Sequence, residues 1–462
     1  MKIKLQIIVE YDDLEEPIVE EISCLCRGDL LPETLGLTLQ EGKDLLANIQ
    51  ATMVKYQAEE YVAQQRSCPH CGRYRSTKGN HEIVYRSLFG KLRIQSPRLY
   101  TCTCQLRKKR SFSPLAERLP ERMAPEFRYL QTKWASLMSY GLTVDLLEDV
   151  LPLQTNVMTV VRNTWQVAEK LEAELGDEQL MFAEGCQAEW EALPMPAGRI
   201  TVGLDGGFVH ARDGDNRKAG WFEVIAGKSI TDEGDAKCFS FVNTYDEKRK
   251  RRLFELLKAQ GIQMNQDITF LSDGSDTVRK LQYYLSPKSE HVLDWFHIAM
   301  RSTVMKNMAK GLPDHPYLQD VIEDLDRVKW YLWHGNAYQA LETLGIIEGC
   351  LEGFEPDDDR ARKLWKAVQE FSVYIGNNVP FIPNYGERYR YGEIITTAFV
   401  ESKVNWVISK RMVKKQQMRW TQEGAHLLLQ VRTKTLNEEL RDTFCRWYPR
   451  MGRATEYLPL AI

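Results

Sequence analysis

The sequence predicts a mixed α/β protein whose sheet-containing core is interrupted by a long helical segment. Between residues 200 and 293, short apolar runs are separated by turns and by segments with helical periodicity, which is the pattern of a buried sheet with crossing helices. From Ile298 to about Phe371 the periodicity is almost entirely helical. Earlier in the chain, short cysteine pairs flank a run of alternating apolar residues, which predicts a separate small β element.

The composition is that of a folded globular protein. The chain has 462 residues, of which 43% are hydrophobic and 27% are charged, and this length allows roughly three domains. No run of about 18 apolar residues is present, so we expect no membrane-spanning helix and no membrane partner. The first ten residues lack the apolar core of a signal peptide, and the ten cysteines are too few for a disulfide scaffold, so we expect a cytoplasmic protein.

Charge is distributed unevenly along the chain. The formal net charge is only −3, yet residues 66–110 carry twelve Lys or Arg against one acidic residue, and residues 401–436 carry eight against two. Two concentrated basic segments in a nearly neutral chain indicate a polyanion bound at defined places. A solvated basic surface is the alternative interpretation, and for the second segment the sequence alone does not decide between them.

Residues 1–65 combine a predicted strand at Lys2–Val9 with an amphipathic helix at Thr38–Gln65. The change to short strands flanked by cysteines marks the end of this first domain. No motif in it indicates a function, and its role stays open.

Residues 66–112 are predicted to form a zinc ribbon. A Cys-x-x-Cys pair is followed, after thirty residues, by a Cys-x-Cys pair, and the segment Tyr85–Ile94 between them alternates like a β-hairpin broken by glycine. Two cysteine turns that flank a hairpin supply four soft ligands for a tetrahedral structural Zn²⁺. The ligands are Cys68, Cys71, Cys102 and Cys104. Reduced thiols in a small apolar core and catalytic thiol chemistry are the alternatives.

The ribbon and the helices after it are predicted to bind DNA. The ribbon ends in four cations that suit phosphate contacts, Arg107, Lys108, Lys109 and Arg110. In the next segment, residues 113–195, three short helices with tight breaks look like a helix-turn-helix, whose last helix enters the major groove with Arg162 near the DNA. The three helices are predicted at Leu137–Gly141, Leu146–Leu151 and Val157–Trp165. Ordinary packing of three helices is the alternative.

Five core strands are predicted, in the order strand, strand, strand, helix, strand, helix, strand. They are Ile200–Leu204, Trp221–Ala226, Cys238–Asn243, Ile268–Leu271 and His291–Leu293. Asp205 follows the first strand, and Asp273 follows the fourth after one serine. If these two strands are parallel neighbours, both carboxylates lie at one edge of the sheet.

A third carboxylate, Glu401, lies early in a predicted helix at Thr396–Lys415. Three carboxylates on two strands and a helix form an oxygen-rich site for Mg²⁺ or Mn²⁺. Two such ions, about 3.5–4 Å apart, can activate an attacking oxygen and stabilise a leaving one in phosphodiester displacement. The alternative is a turn-forming role for each aspartate and a favourable interaction with the helix dipole for the glutamate.

The strand order, the two aspartates and the late glutamate resemble the RNase H-like core of DDE transposases. His291-Val-Leu-Asp-Trp-Phe-His297 is similar to the Cys/Asp-x-x-His motif of Mutator-like and related transposases, in which a helical insertion precedes the glutamate. The Cys-Pro-x-Cys-Gly motif at Cys68 and the Glu-Ser-Lys-Val-Asn motif at Glu401 resemble bacterial insertion-sequence transposases of the ISKra type. The resemblance covers about residue 60 to residue 440.

This resemblance implies three further segments. They are an RNase H-like catalytic core in residues 196–297, an all-α insertion in residues 298–391, and a final core helix with a C-terminal tail in residues 392–462.

The resemblance also implies the roles of individual residues. Asp205, Asp273 and Glu401 would be the catalytic ligands of Mg²⁺ or Mn²⁺. Asp294 and His297 would be an accessory pair, with Asp294 either a further ligand or an acceptor that holds His297.

Cations surround the predicted glutamate helix. They are Lys403, Lys410, Arg411 and Lys414. A metal-binding glutamate flanked by cations suits a helix that lies along a DNA strand. Lys248–Arg252 is another cationic run, for which a DNA contact and a solvated helix face both stay open.

We therefore expect a DNA transposase of an insertion sequence. It would bind double-stranded DNA, both terminal inverted repeats and target, and would catalyse metal-dependent cleavage and strand transfer as a homo-oligomer in the DNA complex. Two alternatives stay open: an RNase H-like, structure-selective nuclease, and a zinc-ribbon DNA-binding regulator with an inactive core.

Overall fold

The computed structural model of the chain is a mixed α/β protein, as predicted. It describes residues 1–11, 16–28, 30–104, 110–177, 198–212, 220–262, 268–274, 289–313, 315–352, 359–400, 405–413 and 418–452. The chain forms two compact units, Met1–Val167 with Glu438–Ile462, and Ala168–Asn437. The domain boundaries predicted from the sequence are finer than these units and stay predictions. Within the ranges given above, no helix is both long and apolar enough to span a bilayer.

The first unit begins with an antiparallel strand pair and a long helix. β1 (Lys2–Val9) pairs with β2 (Ile18–Cys26), and α1 spans Leu39–Arg66. The hydroxyl of Thr38 accepts from the Glu41 amide at 3.2 Å, and the Glu41 carboxylate accepts from the Thr38 amide at 2.9 Å. This capping box satisfies amides that have no partner inside the helix. The predicted strand and helix are confirmed.

A β-hairpin follows α1, as predicted. β3 (Thr77–Ser87) and β4 (Gly90–Tyr100) are antiparallel, and β5 (Ser111–Phe112) pairs with the end of β4. The turn uses Gly90 at φ 128°, a conformation that favours glycine. Buried apolar side chains from α1, the hairpin and α2 (Pro114–Arg118) form the core of this region. They are Val62, Ile83, Leu92, Ile94 and Leu115.

Three longer helices come next: α3 (Pro125–Leu137), α4 (Tyr140–Val150) and α5 (Val157–Leu175). The helix expected at Leu137–Gly141 is instead the break between α3 and α4. A new helix starts directly after this break, because the Ser139 hydroxyl accepts from the Leu142 amide at 3.2 Å and caps the start of α4.

The second unit is built on a five-stranded mixed sheet. Its strands are β6 (Ile200–His210), β7 (Trp221–Thr231), β8 (Ala236–Val242), β9 (Ile268–Ser272) and β10 (Glu290–Leu293), in the spatial order β10-β9-β6-β7-β8. β6, β7 and β8 are antiparallel, whereas β6 with β9 and β9 with β10 are parallel. The five predicted strands are confirmed, and the first and fourth are parallel neighbours. β6 continues past Asp205 because its pairing with β7 extends to His210.

Helices lie between the strands of this sheet in the chain and follow its last strand. One helix, Arg249–Lys258, lies between β8 and β9 in the chain. The predicted helical segment is confirmed over its described residues, in the helices Trp295–Lys310, Leu318–Trp333, Ala337–Glu352 and Asp359–Asn378. A further short helix, Tyr385–Arg390, was not predicted from the sequence. These helices share a large apolar core with the ends of β9 and β10.

The segment predicted as one helix at Thr396–Lys415 is more irregular. Residues 398–400 are helical, and Asn405–Val413 forms a π-helix. Because a π-helix has more residues per turn than an α-helix, the side chains of Asn405–Val413 do not follow α-helical spacing. Gln422–Leu436 then forms a buried α-helix.

Candidate carboxylate site and cysteine cluster

The four predicted zinc ligands come together at the open end of the β3–β4 hairpin. The Sγ atom of Cys68 lies 3.5 Å from that of Cys104, and the Sγ atom of Cys71 lies 3.4 Å from those of Cys102 and Cys104. Gly72, at φ 68°, donates its amide to the Cys68 carbonyl at 2.9 Å and so tightens the first cysteine turn. Four sulfurs around a tetrahedral zinc are about 3.8 Å apart, given Zn–S bonds of about 2.3 Å.

The thiols perturb one another strongly. Burial raises the pKa of Cys68, but backbone amides of His70 and Cys71 and the neighbouring thiols lower it more, to about 6. The pKa of Cys104 rises to about 12, because hydrogen bonds with Cys71 and Cys102 favour its protonated form. One thiolate therefore forms readily and the last thiol resists ionisation. A cation would relieve this competition, and the cluster could hold a zinc ion.

The basic residues predicted around the ribbon differ in their exposure. Arg110 is exposed, whereas Arg107, Lys108 and Lys109 lie outside the described residues. Arg75 is buried, lies over the Phe112 ring and donates to the Gln65 carbonyl at 2.9 Å. Arg75 therefore stabilises the ribbon from within.

In the predicted helix-turn-helix, neighbouring residues of α5 face opposite ways. Arg162 is exposed. Asn163 is buried and donates from Nδ2 to the Gln131 Oε1 of α3 at 2.6 Å. Arg162 is thus available to a nucleic acid, while Asn163 ties α5 to α3.

Three aspartates lie in or directly after neighbouring strands: Asp205 within β6, Asp273 after β9 and Asp294 after β10. Gly203 of β6 pairs with Leu271 of β9, so Asp205 and Asp273 each lie two residues beyond the last pair of these strands. On the other side of β9, Ser272 pairs with Leu293, and Asp294 is the next residue. Asp205 is half-buried, Asp273 exposed and Asp294 fully buried.

The environment of Asp205 disfavours its negative charge. Burial raises its pKa, and the charges of Asp273 and Asp294 raise it further. The Gly206 amide, 2.8 Å from Asp205 Oδ1, and the His297 imidazole act in the opposite direction. No Lys or Arg of the described segments forms an ion pair with Asp205. A half-buried carboxylate with acidic neighbours and no cation of its own fits a divalent-ion ligand.

Asp294 is engaged by protein donors on both oxygens. Oδ1 accepts from the Phe296 amide at 2.9 Å and from the Thr397 amide at 3.1 Å, and Oδ2 accepts from the Thr397 hydroxyl. His297 Nε2 lies 3.6 Å from Oδ2. Asp294 is therefore an acceptor for Phe296 and Thr397, and its two predicted roles, metal ligand or acceptor that holds His297, stay predictions.

Glu401, with Lys403 and Lys414, lies outside the described residues. The segment that leads to Glu401 packs directly on β6. A Cβ at Gly203 would lie 2.3 Å from Val400 Cγ2 and 2.7 Å from Phe399 Cζ. After Glu401, Ile408 packs on Gly207, where a Cβ would lie 3.0 Å from Ile408 Cδ1.

The two described cations near Glu401 have different surroundings. Lys410 is exposed, with Nζ 4.4 Å from the Trp406 ring centroid. Arg411, predicted to contact DNA, is fully buried and lies over the Trp420 ring at 5.3 Å. The structure differs from the prediction for Arg411, because the π-helix directs this side chain inward.

A second ionic cluster was not predicted from the sequence. Arg252 Nε lies 2.9 Å from Asp246 Oδ2, Arg252 Nη1 lies 3.0 Å from Glu172 Oε1, and His426 Nε2 lies 3.5 Å from the same Glu172 oxygen. The cationic run at Lys248–Arg252 is therefore not uniformly a solvated or DNA-binding face. The sequence feature that could have indicated this cluster is Asp246, an acidic residue two positions before the cationic run.

Ligand geometry distinguishes these sites. In the part of the chain that the structure describes, two groups of at least three side chains are close enough to hold an ion: the four cysteines, and Glu172 with Asp246 and His426. The three aspartates do not form such a group among those residues. In the second group, the Arg252 guanidinium already forms ion pairs with both carboxylates.

Comparisons with known proteins add little. No protein-family model matches the chain, and no curated protein matches it. A solved structure titled "Crystal structure of NurA" is similar at 15% identity over 55% of this chain and 74% of that chain, with a TM-score of 0.12. A likeness at that TM-score carries no argument about fold or function.

Proposed function

We propose that the chain is a DNA transposase of an insertion sequence, which cuts and joins DNA at a divalent-metal site in an RNase H-like core. One observation carries the proposal: Asp205 of β6 and Asp273 after β9 each lie two residues beyond Gly203 and Leu271, the last pair between these parallel neighbours. The spatial order of the five strands, fifth-fourth-first-second-third with the first three antiparallel, supports the RNase H-like assignment.

The chemistry follows from the donor set. Asp205 and Asp273 supply hard carboxylate oxygens, and Glu401 is the third ligand by the resemblance. Divalent ions held by such carboxylates promote attack of an oxygen on a phosphodiester and stabilise the departing oxygen. The protein needs no covalent nucleophile. His297 lies close enough to Asp205 to favour its charged form.

The first unit would supply DNA recognition. A zinc-filled Cys68–Cys104 cluster would hold the ribbon, which carries much of the local positive charge. Arg162 on α5 is exposed for base or phosphate contact. Arg110 and Lys410 are further exposed cations. Their contribution would be electrostatic, so DNA binding should weaken steeply with salt.

The test is a cleavage and strand-transfer assay on DNA from both flanks of the reading frame, with Mg²⁺ and wild-type protein. We expect 3′-OH ends at the element boundary and joined products, and loss of both with Asp205→Asn. Asp326→Asn is a matched control, because Asp326 is exposed and forms a surface ion pair with Lys306. Cleavage without joining would favour the nuclease, and DNA binding without cleavage would favour the regulator.

A further inference from the structure

The segment that leads to Glu401 is held at one buried point. Asp294 and Thr397 are 0% and 1% exposed, and they are 103 residues apart in the chain. The Thr397 amide donates to Asp294 Oδ1, and the Thr397 hydroxyl donates to Oδ2. One residue therefore serves both oxygens of a buried carboxylate, and hydrogen bonds to charged acceptors are the stronger kind.

Asp294 is itself fixed to the edge of the sheet. Its amide donates to the Ser272 carbonyl at 2.9 Å, one residue before Asp273. Oδ1 also caps the helix Trp295–Lys310 through the Phe296 amide. The carboxylate thus has a defined position relative to Asp273, and this position also fixes Thr397, which is hydrogen-bonded to it.

Contacts on either side of Thr397 extend this anchoring. The Trp295 amide donates to the Ile395 carbonyl at 3.2 Å, and the Val400 amide donates to the Thr397 carbonyl at 2.7 Å. Val400 then fills the space above Gly203. Residues 395–400 are thus held by the sheet edge at one end and by β6 at the other, and Glu401 follows them in the chain.

We infer that Thr397 is a positioning residue: its hydrogen bonds to Asp294 hold residues 395–400, which lead to Glu401, against the sheet edge next to Asp273. This inference rests on the proposed function, because it assigns a purpose to the Glu401 segment. Thr397 makes no contact with the reacting atoms. It acts through Asp294, whose carboxylate anchors this segment by accepting the two hydrogen bonds from Thr397.

The test compares Thr397→Val, which keeps the shape and removes the hydroxyl, with Thr397→Ser, which keeps the hydroxyl. Mn²⁺ binding to the full-length, zinc-loaded protein is measured by electron paramagnetic resonance, with thermal unfolding and cleavage rates alongside. Loss of a group that orients a ligand typically weakens metal binding about 10–100-fold. We expect a weakening in that range for Thr397→Val, with Thr397→Ser within about twofold of wild type.

Asp205→Asn separates this inference from the proposed function. If Asp205→Asn binds Mn²⁺ and cleaves DNA as wild type does, the proposed function fails. If Asp205→Asn loses both while Thr397→Val binds Mn²⁺ as tightly as wild type, only the role of Thr397 is overturned. Should Thr397→Val not fold, Asp294→Asn is measured in the same way, and unchanged Mn²⁺ affinity in that variant would overturn the role equally.

Discussion

Gly203 of β6 provides the space that Val400 occupies, since a Cβ at position 203 would approach Val400 Cγ2 to 2.3 Å. Val400 is branched at Cβ and cannot swing aside without leaving its rotamer, and Phe399 blocks a second direction at 2.7 Å. Glycine at 203 therefore seats the segment before Glu401 two residues from Asp205.

Gly203→Ala should displace that segment. Overpacking of this kind costs roughly 1–3 kcal/mol of folding free energy. We expect the variant to remain folded and its DNA cleavage rate to fall. Gly376→Ala is the control, because no atom lies within 4 Å of a Cβ placed there. Urea unfolding and cleavage rates are the measurements. Wild-type cleavage in Gly203→Ala would contradict the seating of the Glu401 segment on β6.

The metal content should be one tightly bound zinc per chain. The cysteine cluster is a closed four-sulfur site, whereas Glu172 and Asp246 are already ion-paired with Arg252. Mass-spectrometric metal analysis of purified protein should give one zinc, lost in the Cys68→Ser/Cys71→Ser variant.

Cys24 and Cys26 offer a matched control for the zinc prediction. They form another closely spaced cysteine pair, and both are exposed. Cys24→Ser/Cys26→Ser should keep the full zinc content. Two zinc ions per chain, or zinc that persists without Cys68 and Cys71, would refute the assignment.

Glu172 should make stability depend on acid pH. Burial raises its pKa, but His426 and Arg252 lower it more, to about 2. A carboxyl whose pKa is depressed on folding stabilises the protein above its unfolded value, about 4.3, and this stabilisation is lost as pH falls toward 2. Glu172→Gln should cost about 3 kcal/mol at neutral pH, and the difference from wild type should shrink between about pH 5 and pH 2.

The measurement for Glu172 is urea unfolding of wild type and variant across that pH range. Glu169→Gln on the same helix is the control, because Glu169 is exposed. A gap between wild type and Glu172→Gln that stays constant down to pH 2 would show that the ion pairs do not carry the stabilisation.

Arg162 and Asn163 should separate DNA binding from stability. Arg162→Ala should weaken binding to terminal-repeat DNA by about 1–3 kcal/mol while leaving the unfolding temperature unchanged, because Arg162 is exposed. Asn163→Ala should lower the unfolding temperature, because it leaves the buried Gln131 amide without its partner. Fluorescence anisotropy and thermal unfolding are measured on both variants. Equal DNA affinity of wild type and Arg162→Ala would exclude α5 as a reading helix.

The sequence predicts what depends on local pattern. Strand periodicity located all five strands of the large sheet, and spacing located the cysteine cluster around its hairpin. It did not predict the hydrogen bonds between Thr397 and Asp294, since no periodicity links residues 103 positions apart. Nor did it predict the burial of Arg411, because α-helical periodicity does not describe a segment that forms a π-helix.

Replacement of Asp205 and replacement of Asp294 should have opposite effects on folding stability. Asp205→Asn removes a charge that burial and two acidic neighbours disfavour, since the pKa of Asp205 is raised, so we expect a higher unfolding temperature with cleavage lost. Asp294→Asn places an amide donor against amide and hydroxyl donors, so we expect a loss of about 1–3 kcal/mol in folding free energy as well as reduced cleavage. Differential scanning calorimetry and cleavage assays on both proteins test this. A stable, fully active Asp294→Asn protein would contradict the anchoring role of Asp294. An Asp205→Asn protein that is destabilised and still cleaves would contradict the role of Asp205 as a metal ligand.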